Sequence, residues 1–143
     1  MECRYNIKRQ AKRCLVCIIL LLASPGVFAA CIINNGVVWH DTDGNEMWCN
    51  GGHMIREGDT FYWVGYETAR GRIWNIKLYS SKNLADWKFE NNIIRKQGPF
   101  DILGWAGRPA MLHNRKTGKY VVIFEADSRQ WDRHKVGFAV CDT

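Results

Sequence analysis

The residues of this chain that could do chemistry fall in a few short runs. Asp41-Thr42-Asp43-Gly44-Asn45 sets two carboxylates beside a glycine and an amide, His53 follows the pair Gly51-Gly52, and Glu67, Trp105 and Arg108 stand further along. Asp and Asn in such a run either close turns on their own backbone or hold their oxygens outward for a polyol or an ion. The Asp-x-Asp-Gly-Asn order is faintly similar to a calcium loop, but the later bidentate glutamate is not at its spacing, so no metal site is expected. Arg108, followed by Pro109, suits a paired grip on a carboxylate, with Glu67 and Glu125 as candidate partners. His53 reads either as a hydrogen-bonded structural imidazole or as a ligand contact. The chain holds 7 tryptophans, whose flat apolar faces suit stacking on sugar rings. Trp63, Trp74 and Trp87 sit where strand packing is expected, whereas Trp48 and Trp105 fall in predicted loops and are the platform candidates. The residues expected to touch a ligand are therefore Asp41, Asp43, Trp48, His53, Glu67, Trp105 and Arg108. No catalytic pair and no cofactor is assigned.

The elements that must position them are strands. Thr60-Phe61-Tyr62-Trp63-Val64-Gly65-Tyr66 is rich in aromatic and β-branched residues, and Glu57-Gly58-Asp59 ahead of it supplies a hairpin turn. Trp74-Asn75-Ile76-Lys77-Leu78-Tyr79-Ser80 alternates apolar and polar residues. Ser81 to Trp87 reads as a turn that drops Leu84 and Trp87 onto the sheet. Asn114-Arg115-Lys116-Thr117-Gly118 is a further turn leading into Tyr120–Phe124. No segment past the first thirty residues has a helical period, so the fold class is all-β.

These strands form a unit written twice. Met54-Ile55-Arg56 returns as Met111-Leu112-His113, 57 positions on, and Tyr62 returns as Tyr120, 58 positions on. A period near 50 residues with several short strands per copy is the signature of propeller blades. A propeller needs at least four blades, and this chain has room for two.

The first thirty residues read differently. Arg4, Lys8, Arg9, Lys12 and Arg13 precede the apolar run Cys14–Ala23, then Ser24-Pro25-Gly26 and Val27-Phe28-Ala29. A basic head, a short apolar core and a small-residue exit describe a signal peptide over residues 1–30, with residues 31–143 as the mature part and a secreted or periplasmic destination. A lipid anchor at Cys31 is the lesser option. The core is too short to span a bilayer, which takes about 20 residues. The leader carries most of the formal +6 charge, and the Lys and Arg that remain are scattered among Asp and Glu, which excludes a nucleic-acid stripe. Cys31, Cys49 and Cys141 remain after cleavage, and in an oxidising compartment one pair could bridge.

Several of these runs, taken in order, resemble family-43 glycoside hydrolases, and most closely the branch of exo-β-1,3-galactanases. They are Asp41-Thr42-Asp43-Gly44, Asn50-Gly51-Gly52-His53, Phe61-Tyr62-Trp63-Val64-Gly65, Leu78-Tyr79-Ser80-Ser81 through Leu84-Ala85-Asp86-Trp87, and Gly107-Arg108-Pro109 with Thr117-Gly118-Lys119-Tyr120. The resemblance covers residues 39–143. It implies a five-bladed β-propeller, here about two blades, with a sugar site on its axis and hydrolysis of O-glycosidic bonds with inversion. Inversion takes a carboxylic acid and a base about 6.5–9.5 Å apart. The family's acid sits in a Glu-Ala-Pro element that this sequence lacks, so no turnover is expected of this polypeptide alone. The branch often carries glutamate where Gly107 stands here, and a Tyr-Gly-Glu strand end where Gly65-Tyr66-Glu67 stands. The resemblance thus implies a fragment of a secreted glycosidase acting on β-galactan or a related plant polysaccharide, or a carbohydrate-binding remnant without catalysis. Two blades alone leave sheet edges and faces open, so self-association is a further expectation.

Overall fold

The computed structural model describes residues 32–67, 75–95, 104–128, 130 and 132–141. The predicted leader, Cys31 and Trp74 lie outside them.

The described residues form seven strands: β1 Asn50–Glu57, β2 Thr60–Tyr66, β3 Asn75–Ser81, β4 Lys88–Arg95, β5 Trp105–Asn114, β6 Lys119–Asp127 and β7 Lys135–Cys141. They make two antiparallel meanders, one of order β1-β2-β3-β4 and one of order β5-β6-β7. No described residue is helical, as the all-β reading expects. The predicted strands at Thr60–Tyr66, Trp74–Ser80 and Tyr120–Phe124 coincide with β2, β3 and the centre of β6. β4 went unpredicted: its Glu90-Asn91-Asn92 centre has low strand propensity, and bulges at Ile76/Lys77 and Leu78/Tyr79 break its register with β3.

Strand pairing shows how the unit repeats. Met54 lies opposite Trp63, and Met111 lies opposite Val122. First strands are therefore equivalent at 57 positions and second strands at 59, which makes Phe61 and not Tyr62 the counterpart of Tyr120. The reason is loop length. Gly58-Asp59 closes the first hairpin, with Glu57 opposite Thr60, while four residues separate Asn114 from Lys119 in the second. A one-residue error matters because it assigns a side chain to the wrong face of its sheet.

The two sheets pack face to face. Val64, Ile76 and Ile94 of the first meet Ala106, Met111, Val122, Phe124 and Ala126 of the second in one buried cluster. The contact is fastened at both ends of β5. At one end Glu57 Oε1 lies 3.0 Å from His113 Nδ1, and at the other Tyr66 meets Trp105.

The far face of the first sheet is covered around Trp63 by the lead-in segment and the Ser81–Trp87 turn, while Met54 on the same face stays 47% exposed. Trp63 is flanked edge-on by Trp39 and Trp87, with centroids 6.0 and 5.3 Å away. Trp87 is placed there by the Ser81–Trp87 turn. Ser81 Oγ accepts the N–H groups of Asn83 and Leu84, Asn83 Oδ1 accepts those of Ala85 and Asp86, and Trp87 Nε1 donates to the Leu84 carbonyl. Trp87 ends fully buried and Leu84 half-buried.

Candidate functional site

Where β2 ends and β5 begins, polar and aromatic side chains from both sheets gather. Gly52 allows the approach on the first sheet: a Cβ there would meet the Val64 carbonyl oxygen and come within 2.9 Å of Gly65 Cα, so only glycine fits. The β1 bulge at Asn50–His53 lies at the same place. On the second sheet Gly107 lies under the Trp105 indole, where a Cβ would sit 2.5 Å from Cζ2. The glycine at this departure from the family pattern is thus what makes room for the ring.

Trp105 is the centre of the group. Its ring meets Tyr66 edge-on at 4.9 Å and 73°, and its Nε1 donates to Glu125 Oε2 at 3.2 Å. The same oxygen accepts Arg108 Nη1 at 2.6 Å. Of the two partners foreseen for Arg108, the structure selects Glu125, through one guanidinium nitrogen. Glu67, next to Tyr66, is held separately: its Oε2 accepts Asn75 Nδ2 at 2.8 Å and its Oε1 lies 3.4 Å from Lys77 Nζ. Both carboxylates are fixed by donors on neighbouring strands.

Arg108 also opens onto a shallow pocket of about 330 Å³ whose lining includes Ala110, Ile123, Glu125, His134, Lys135 and Val136. Two of the three described non-glycine residues with positive φ, Arg108 (46°) and His134 (41°), are part of it. Such conformations cost about 1–3 kcal/mol each and persist only where the surroundings impose them. Asp127 supplies that constraint beside His134. Its Oδ1 accepts the N–H groups of Ser128 at 2.7 Å and Arg133 at 3.0 Å, and its buried Oδ2 faces His134 Nδ1 at 3.2 Å without hydrogen-bond alignment. Burial alone would raise the Asp127 pKa. The backbone N–H groups of Arg133, Ser128 and His134, with the His134 imidazole, outweigh it and hold the carboxyl below its ordinary value.

The other predicted contacts lie apart from this group. Asp41 is buried, its Oδ1 accepting the N–H groups of Asp43 at 3.0 Å and Asn45 at 2.8 Å, which is the turn-forming alternative. Asp43 is exposed in that turn, and His53 is exposed on β1 opposite Val64. Trp48 is half-buried in the lead-in, where its backbone bonds the Tyr79 hydroxyl. Burial pushes the Tyr79 pKa up to about 12. Trp105, expected in a loop, is the first residue of β5. Cys49 and Cys141 are free and so do not bridge each other, and burial pushes the Cys49 thiol up to about 12. His134, Lys135 and Asp127 were not singled out from sequence, because their approach to Arg108 depends on β7 pairing with β6. Glu125 was named only as a partner for Arg108. Among the described residues no group of three or more His, Cys, Asp or Glu is placed to hold a metal ion, and no helix is long and apolar enough to cross a membrane.

No family model matches the sequence, and no curated protein matches it. Solved structures do. The exo-β-1,3-galactanase of Clostridium thermocellum superposes with a TM-score of 0.71 at 25% identity, over 78% of this chain and 25% of that one. The Phanerochaete chrysosporium exo-β-1,3-galactanase, in a variant crystallised with β-1,3-galactotriose, gives 0.72 at 28% identity, over 78% and 27%. A GH43 β-1,3-galactosidase crystallised with galactodeoxynojirimycin gives 0.69 at 29%, over 78% and 35%. The chain resembles family-43 glycoside hydrolases of the exo-β-1,3-galactanase kind, and its fold is a part of their β-propeller. It spans about a quarter to a third of the length of these proteins.

Proposed function

We propose that this chain is the sugar-gripping part of a secreted glycoside hydrolase-like protein for β-galactan or a related plant polysaccharide, and that it has no turnover by itself. The observation that carries the reading is Trp105, held edge-on by Tyr66 and bonded to Glu125, in a fold shared with β-1,3-galactanases. A half-buried indole beside a carboxylate suits a sugar, the ring offering apolar surface to a pyranose and the carboxylate accepting its hydroxyls. Relatives of this fold have been crystallised with β-1,3-galactotriose, which supports galactose as the sugar.

Binding without catalysis is favoured over hydrolysis because the sequence lacks the Glu-Ala-Pro element that carries the acid in the family it resembles, and inversion takes a carboxylic acid as well as a base. Glu125 is held in place by Arg108 and Trp105, and Glu67 by Asn75 and Lys77. Each carboxylate keeps lone pairs for sugar hydroxyls.

The test is incubation of the purified chain with β-1,3-galactan, following both retention on the polysaccharide and release of galactose. Retention without release is expected. Galactose release would overturn the non-catalytic reading, and the absence of retention would overturn the sugar-binding one. Export is tested separately by N-terminal sequencing of the secreted product, which should begin at or beside Cys31.

A further inference from the structure

The sequence holds two Asn-Gly pairs, Asn35-Gly36 and Asn50-Gly51. In such a pair the backbone nitrogen of the glycine can attack the side-chain carbonyl carbon of the asparagine. A new C–N bond closes a succinimide ring, and the amide nitrogen leaves as ammonia. Solvent water then opens the ring at either carbonyl, giving aspartate or isoaspartate. In isoaspartate the main chain runs through the side chain and is one carbon longer. Glycine favours the attack because no side chain screens its nitrogen and its backbone turns freely.

The structure sets the two pairs apart. Asn35 and Gly36 form an exposed bend outside every strand. Gly36 stands at φ +77°, and beyond its chain neighbours no heavy atom lies within 4 Å of where a Cβ would be. The peptide between them has room to swing onto the side chain. Asn50 opens β1 opposite Tyr66, and Gly51 lies against that ring, where a Cβ would sit 2.8 Å from Tyr66 Cε1. Tyr66 is itself packed edge-on against Trp105 at 4.9 Å. Turning the Asn50–Gly51 peptide has to displace these rings and open the end of the sheet, which takes a local unfolding step.

We propose that Asn35 is a deamidation site of the folded chain, and that Asn50, of the same sequence type, is protected by Tyr66. The position gives the change a consequence. Trp39 Nε1 donates to the Asn34 carbonyl at 2.7 Å and so closes a loop around Asn35, while the same indole meets Trp63 edge-on at 6.0 Å. Isoaspartate at 35 lengthens the main chain inside that loop, and either product adds a negative charge there. Conversion loosens the Trp39 end of the lead-in.

The full chain is aged in mildly alkaline buffer, folded and in urea. Chymotryptic cleavage after Trp39 and Trp48 puts the two pairs on separate peptides, and tandem mass spectrometry reads the amide-to-acid mass gain at each asparagine. In the folded chain Asn35 should convert at least about tenfold faster than Asn50, and in urea the two rates should converge. Tyr66→Ala, shown to be folded by circular dichroism, should release Asn50, and tryptophan emission should shift on ageing in the parent but not in Asn35→Gln. An Asn35 that stays intact in the folded chain would overturn the proposal, as would an Asn50 that converts there as fast. Unshifted emission after full conversion would overturn the link to Trp39.

Discussion

The indole of Trp105 and the phenol ring of Tyr66 meet edge-on with centroids 4.9 Å apart, and at this contact the first residue of β5 touches the last residue of β2. It fastens one end of the sheet-to-sheet packing and it holds the proposed sugar platform. Structure and function therefore share one side chain, and substitutions here have to be read for both.

Trp105→Ala should destabilise the chain by about 2 kcal/mol. The lost edge-on pair contributes about 0.5–1.5 kcal/mol, and the half-buried ring leaves a partial cavity below the 3–5 kcal/mol of a fully buried tryptophan. Urea unfolding measures it, with the slope unchanged if only the native state is affected.

Glu125→Gln separates the two roles. Its partner Arg108 is 72% exposed, so losing the ion pair should cost less than about 1 kcal/mol of stability. Retention on β-1,3-galactan should nevertheless fall about tenfold, or about 1.4 kcal/mol, because the amide lacks the charge that holds Arg108 and replaces one acceptor oxygen with a donor NH2. Paired unfolding and affinity measurements check both halves.

Gly107→Ala tests the close approach beneath the platform. A methyl 2.5 Å from Trp105 Cζ2 has to displace the ring, and overpacking of this kind costs about 1–3 kcal/mol. Tryptophan fluorescence should shift in this variant and remain at its parental position in Gly118→Ala, where no heavy atom lies within 4 Å.

Much of the fold was legible in the residues. The hairpin at Gly58-Asp59, the alternation of β3 and the Met54/Met111 repeat all follow from local pattern. The relative register of the two copies did not, because a loop two residues longer shifts the second strands and only backbone pairing shows it. The same limit applied to the site. Arg108 and Glu125 were readable as a pair of opposite charge, but Trp105 looked like a loop residue: its neighbours Gly104 and Gly107 suggest a turn, and Gly107 and Pro109, which mark the bulge at Gly107–Ala110, fit a turn as well as a bulged strand. His134 reaches the pocket from another strand, a non-local contact that no motif announces.

The acid limb of stability should contain a contribution from Asp127. Its folded-state pKa lies below the ordinary 3.8, so the unfolded chain takes up the proton first as pH falls. The stabilisation is complete above the unfolded value and is lost as pH drops through the folded one, that is, below about pH 4. Asp127→Asn should flatten this part of the profile in unfolding experiments from pH 2 to 6.

Thiol chemistry should distinguish the two described cysteines. Burial raises Cys49 to about 12, so it stays a thiol at pH 8 and is a poor nucleophile, whereas Cys141 is exposed. Iodoacetamide on the native chain should modify Cys141 while leaving Cys49 intact, with Cys49 reacting only after denaturation. Peptide mass mapping checks this.

The most direct test of the central claim is calorimetric titration of the full chain with β-1,3-galactotriose, beside Trp105→Ala shown to be folded. The account predicts saturable binding by the parent and a loss of at least tenfold in the variant. Absence of binding by the parent, or equal binding by both, would contradict it.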